Sequence, residues 1–182
     1  MLNTIKKELL REEFYEIARE IVTSSIFLDL KNEVHHGTTR YDHSMRVAWA
    51  AFICAKKLGW NPGSVTIAAL CHDLFRKEDC EKLTKKDINK MHPMIAANLA
   101  KKHFDISEIE EKAILSHMWP LAGTRASSKE GRLLGYVDKC IAIAEGIGYN
   151  PVAKTIKRAA RAFTQPVNIP ESEGYSLSLN RR

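Results

Sequence analysis

Apolar residues in this chain recur at intervals of three and four and almost never alternate, a period that fits helices and leaves no convincing β-strand run. Ile5, Leu9, Ile17 and Ile21 share one face of a helix expected over about 4 to 23. Val47, Ala51, Cys54 and Leu58 do the same over about 41 to 58, with Gly59 as the stop. Asn61-Pro62 supplies a cap and a first-turn proline for a helix over about 62 to 76. Pro93 and Asn150-Pro151 read as further helix starts, and Ser107 with Glu110 reads as a capping box. Helices are therefore expected over about 92 to 103, 107 to 118, 129 to 147 and 151 to 163, with an irregular tail over 164–182. The fold expected is an all-α bundle of about six to seven helices.

At 182 residues the chain suits one domain, expected over 1–182. Hydrophobic residues at 45% and charged residues at 27% are ordinary for a globular protein and argue against disorder. No apolar run approaches the roughly 18 residues of a membrane span, and MLNTIKKELLREEF is amphipathic rather than a signal peptide. No membrane association and a cytoplasmic location are the expectation. Cys54, Cys71, Cys80 and Cys140 form no CxxC pair and read as thiols. The net charge of +6 is concentrated after residue 150, where six Lys/Arg face two Glu. Lys154, Lys157, Arg158 and Arg161 line one face of the last expected helix; without interleaved aromatics this reads as a solvated face, and nucleic-acid binding is not expected.

Chemistry is concentrated in His43, the doublet His72-Asp73, His92, His117 and Asp138, each on or beside an expected helix. An acid and a histidine inside Ala68-Ala69-Leu70-Cys71-His72-Asp73-Leu74 are costly to bury unless satisfied. Imidazole and carboxylate suit iron, manganese, cobalt or nickel, and a carboxylate beside a histidine can bridge two metals. His103, within Lys101-Lys102-His103, reads instead as a solvated surface residue. GxSxG, P-loop and Cys-His signatures are absent, so serine, Walker and cysteine chemistry have no starting point.

The segments His36-Gly37-Thr38-Thr39-Arg40-Tyr41-Asp42-His43, His72-Asp73-Leu74-Phe75, His92-Pro93, His117-Met118-Trp119-Pro120-Leu121 and Val137-Asp138-Lys139 resemble the HD phosphohydrolase superfamily, in particular a small bacterial branch of it. The resemblance covers about residues 30–145 and implies an α-helical, metal-dependent phosphomonoesterase or phosphodiesterase. It implies that His43, His72, Asp73 and Asp138 hold one metal, that Asp73 bridges, and that His92 and His117 hold a second. Two divalent ions, Fe, Mn, Ni or Co rather than a structural Zn, are then the expected cofactors, acidifying a water for attack on phosphorus.

A phosphate substrate also needs cations, and Arg40, Lys77, Lys139 and the loop residue His36 are the candidate substrate contacts; Arg46 and Arg76 read as ordinary solvated charges. The expected partner is a small phosphorylated molecule, a nucleotide or related metabolite, with a homodimer possible. The competing reading is an inactive, metal-stabilised helical module that binds an anionic ligand or partner.

Overall fold

The computed structural model describes residues 2–35 and 38–146. The expected helix over 151–163, the tail over 164–182 and His36 lie outside the described residues. Among the described residues seven α-helices follow one another: α1 (Leu2–Val22), α2 (Ser25–Asp29), α3 (Arg40–Lys57), α4 (Gly63–Cys71), α5 (Lys85–His103), α6 (Glu108–Ser116) and α7 (Lys129–Gly146). The only strands among the described residues are β1 (Val34–His35) and β2 (Thr38–Thr39), an antiparallel pair leading into α3. The protein is all-α.

Local chemistry sets the helix starts. The Thr39 hydroxyl accepts from the Asp42 amide to open α3, and reciprocal capping boxes open α5 (Thr84 with Asp87) and α6 (Ser107 with Glu110). Gly59, at φ 69°, takes the left-handed conformation that lets the chain leave α3.

α4 is the central element, packed against α1, α3, α5, α6 and α7. It is mostly apolar because none of its faces is fully exposed: Val65, Thr66, Ala68, Ala69, Leu70 and Cys71 are buried, and Gly63, Ser64 and Ile67 are half-buried. Thr66 satisfies its hydroxyl internally, donating to the Pro62 carbonyl at 2.7 Å. Outside α4, Phe14 of α1 meets Trp49 and Phe52 of α3 edge-on, at ring separations of 5.2 and 5.6 Å. Gly135 of α7 lies against the end of α6; a Cβ there would stand 3.1 Å from the His117 carbonyl oxygen, so its absence permits the close approach.

Three expectations need correction. The helix expected over 62 to 76 ends at Cys71, with His72 at its C-cap and Asp73 in the turn beyond. Ala69's carbonyl, which a continuing helix would offer to the Asp73 amide, is taken by the His72 ring at 2.7 Å. Pro93 does not start a helix: α5 begins at Lys85, and Pro93 lies inside it. Its missing N–H leaves the carbonyl of Asn89, an exposed residue that water can serve. Ile5 and Leu9 are exposed, and α1 is anchored instead by Phe14, Ala18, Ile21 and Val22.

Candidate metal centre

Helix ends and two positions within helices carry the six sequence-derived residues into a single buried locus. His43 projects from the first turn of α3, His72 and Asp73 from the end of α4, His92 from beside Pro93 in α5, His117 from the C-cap of α6 and Asp138 from the middle of α7. All six are buried. Their ligating atoms fall into three overlapping triads, His43/His72/Asp73, His72/His117/Asp138 and Asp73/His92/His117, each with its atoms within 4.8 Å of one another. His72, Asp73 and His117 each belong to two triads, and of these Asp73 alone is a carboxylate.

The backbone sets the tautomers of three imidazoles. His72 Nδ1–H donates to the Ala69 carbonyl at 2.7 Å, His92 Nδ1–H to Ile88 at 3.1 Å and His117 Nδ1–H to Ile114 at 2.7 Å. Each ring then turns Nε2 toward the cluster. His92 and His117 Nε2 stand 3.1 Å apart. His72 Nε2 is buried with no hydrogen-bond partner, and the nearest carboxylate oxygen, Asp138 Oδ1, is at 3.5 Å. Lone pairs crowded this way repel unless a cation lies between them, and two ligands at right angles on a metal, with bonds near 2.1 Å, are roughly 3 Å apart. The donor set therefore fits divalent metal, by its spacing and by the orphaned nitrogen of His72.

His43 is held from both sides. Its Nδ1–H donates to Glu145 Oε2 at 2.7 Å, and Nε2 contacts Asp138 Oδ1 at 3.1 Å. Glu145 also accepts from Arg46 at 2.7 Å, and Arg46 donates in turn to the Thr38 hydroxyl at 3.0 Å. Glu145 escapes sequence reasoning as a lone acid near the end of α7. The available signal was its spacing of seven from Asp138, which puts both on one helical face. Arg46, expected to be a solvated charge, is part of this chain of contacts.

Electrostatics separate the histidines into two kinds. Burial pushes His43 toward neutrality, but Asp138 and Glu145 outweigh it and raise the pKa to about 10. His72 is likewise raised, because Asp73 and Asp138 overcome its burial. Burial dominates at His92 and His117, and the neighbouring His72 adds to it; both are lowered, His117 to about 3. Asp73 and Asp138 are buried, which favours their neutral forms, yet the surrounding imidazoles hold both well below the usual carboxylate range. The centre therefore favours charged carboxylates and neutral His92 and His117, as metal ligation requires, while at His43 and His72 it favours protons that a metal would have to displace.

The candidate substrate contacts are dispersed. Arg40 reaches the cluster: its guanidinium carbon lies 3.7 Å from the Phe75 ring centroid and Nη1 is 3.9 Å from Asp73 Oδ2, while the buried Nε has no partner. Lys77 is exposed on the turn two residues beyond Phe75, with no contact to the cluster among the described residues. The Lys139 ammonium donates to the carbonyls of His117 at 2.7 Å and Gly135 at 3.1 Å. Trp119 lies beyond the end of α6 and is 45% exposed. The four cysteines are free thiols.

A helical bundle that brings four imidazoles and two carboxylates to one buried locus defines a class, the α-helical proteins with a histidine–aspartate centre suited to divalent metal. The HD domain family model matches residues 40–143, more than half of the chain, and the chain belongs to that family. HD domains are generally metal-dependent hydrolases. No curated protein and no solved structure matches the chain. Among the described residues, no helix is long and apolar enough to cross a membrane.

Proposed function

We propose that the protein is a phosphohydrolase that cleaves a phosphate ester of a nucleotide or related small metabolite, using two divalent ions of the Fe, Mn, Co or Ni type. The observation that carries this reading is the convergence of His43, His72, Asp73, His92, His117 and Asp138, with the His72 Nε2 atom left without a partner. His43, His72, Asp73 and Asp138 would hold one ion and Asp73, His92 and His117 the other; of the residues shared between triads, Asp73 is the one whose two carboxylate oxygens can serve two ions at once. Bound there, such ions supply Lewis acidity toward phosphoryl oxygens and make water a nucleophile at neutral pH.

The chain's own groups supply the rest. The carbonyls of Ala69, Ile88 and Ile114 hold three imidazoles in the tautomer that presents Nε2, and Glu145 does so for His43. Arg40, over the Phe75 ring and near Asp73, is the phosphate contact: its guanidinium can grip two phosphoryl oxygens, and its Nε has hydrogen-bonding capacity to spare. Lys77, exposed and four residues beyond Asp73 in the chain, would be a second phosphate contact, whereas Lys139, with two of its three protons on carbonyls, acts chiefly by steadying His117.

The test is a screen of the manganese-loaded protein against nucleotides, cyclic dinucleotides and generic phosphate esters, with Asp73→Ala in parallel. The expected result is hydrolysis of a phosphate ester by the wild type. In Asp73→Ala hydrolysis is lost and metal content falls, with the helical circular-dichroism signal retained. Full activity of Asp73→Ala with both metals bound would refute the mechanism.

A further inference from the structure

A second concave site lies beside the metal centre. Between the end of α6 and the exposed flank of α7 is a cleft of about 300 Å3, lined by Trp119, Arg125, Arg132, Tyr136 and Lys139 together with the backbone at His117 and Gly135. The volume is at the lower end of the range for small-molecule sites. Its charge is one-sided: three cations line it and no carboxylate does. Among the described residues these cations form no ion pair. Arg125 lies 5.8 Å from the Trp119 ring centroid, Arg132 donates to the Ser127 carbonyl at 3.3 Å, and Lys139 is engaged by carbonyls. Elsewhere the surface arginines do find acids, as Arg11, Arg19 and Arg76 show.

A concave surface with three cations uncompensated by lining acids attracts an anion. The exposed indole of Trp119 beside the Arg125 guanidinium adds a flat stacking surface next to a charge, which simple phosphate does not use and an aromatic base does. We infer that this cleft binds a nucleoside monophosphate unit, the base against Trp119 and the phosphate at Arg125 and Arg132. The unit is either the distal part of a substrate whose ester reaches the metal centre or a separate nucleotide. The site does not depend on the hydrolytic reading, since its occupancy is measurable without metal.

The experiment is calorimetric titration of the full chain, kept metal-free with a chelator, with non-hydrolysable phosphonate analogues of AMP, GMP, CMP and UMP. At least one should bind saturably at one site, and inorganic phosphate should bind at least about tenfold more weakly, for want of the stacked base. Arg125→Glu/Arg132→Glu should weaken the analogue at least about tenfold through loss of charge-assisted contacts. Both arginines are exposed, so the core is untouched. Lys85→Glu/Lys86→Glu, an equal change of net charge at exposed positions on α5, should leave binding unchanged. The inference is overturned if no analogue saturates, if phosphate binds equally well, or if both double variants behave alike. Repeating the titration with manganese and a non-hydrolysable dinucleoside polyphosphate analogue separates the sources: tightening of that longer ligand by manganese means that one molecule spans cleft and metal centre, and no tightening means a separate nucleotide.

Discussion

Replacing Glu145 by Gln keeps the shape of the side chain and removes its charge from the outer side of His43. In the protein Glu145 accepts from His43 Nδ1 and from Arg46, both at 2.7 Å, with its side chain 12% exposed, so the contacts are short, charge-assisted and poorly screened. The substituted amide can still accept from His43 through its oxygen, but then presents NH2 to Arg46, donor against donor. Two effects on metal affinity oppose each other. A neutral residue lowers the basicity of His43, which at a pKa of about 10 holds a proton that metal must displace. The same carboxylate, however, stabilises an ion of charge two more than it stabilises one proton, so the loss at the metal is the larger. Outer hydrogen-bond partners of ligating histidines are worth about tenfold to hundredfold in metal affinity, or roughly 1.4 to 2.8 kcal/mol. Glu145→Gln is therefore expected to weaken manganese binding by that factor at pH 7 while the circular-dichroism spectrum stays that of wild type, as read by competition titration against a chromophoric chelator. Manganese affinity within about threefold of wild type would refute the argument that His43 is held for metal by Glu145.

Three further outcomes are expected. Arg40→Lys should lower turnover of a phosphate ester at least about tenfold, from loss of a charge-assisted hydrogen bond of roughly 1.5 to 3 kcal/mol, with metal content unchanged; lost metal would make Arg40 a support of the ligand shell. Metal uptake at pH 7 should release at least about one proton, from His43, whose pKa of about 10 keeps it charged in the metal-free protein, and calorimetric enthalpies that do not vary with buffer ionisation enthalpy would contradict this. The metal-free protein should have an optimum of stability near neutrality, for reasons of opposite sign. His117, at about 3 when folded against 6.5 unfolded, binds fewer protons in the native state, so stability falls as pH drops through that window. His43, at about 10 against 6.5, contributes stability that is complete below 6.5 and lost as pH rises through 10. Thermal melts in chelator that rise steadily from pH 4 to pH 10 would sink this assignment.

Much of the protein was legible in its order of residues. Three-and-four apolar spacing is a local property, and it placed α3, α6 and α7 close to their observed limits. The six residues that the bundle brings to one buried locus also stood out, because imidazole and carboxylate groups in apolar surroundings are costly without a shared partner. Local signals misled where tertiary contacts overrode them. The end of α4 is decided by the His72 ring taking the Ala69 carbonyl, a choice that matters only because other helices supply groups around Nε2. Pro93 is tolerated within α5 because Asn89 faces water and His92 is buried against the cluster, neither of which a proline by itself discloses. Glu145 is one acid among many until α7 lies along α3 and brings it to His43. The cleft beside Trp119 is only half written in the chain: Arg132 and Lys139, seven apart, share a face of α7, but Trp119 and Arg125 join them only once the segment after α6 lies against α7. Period and residue type act over a few bonds and are written in the chain; which nitrogen lacks a partner and which cations lack an acid depend on distances that only the folded bundle defines.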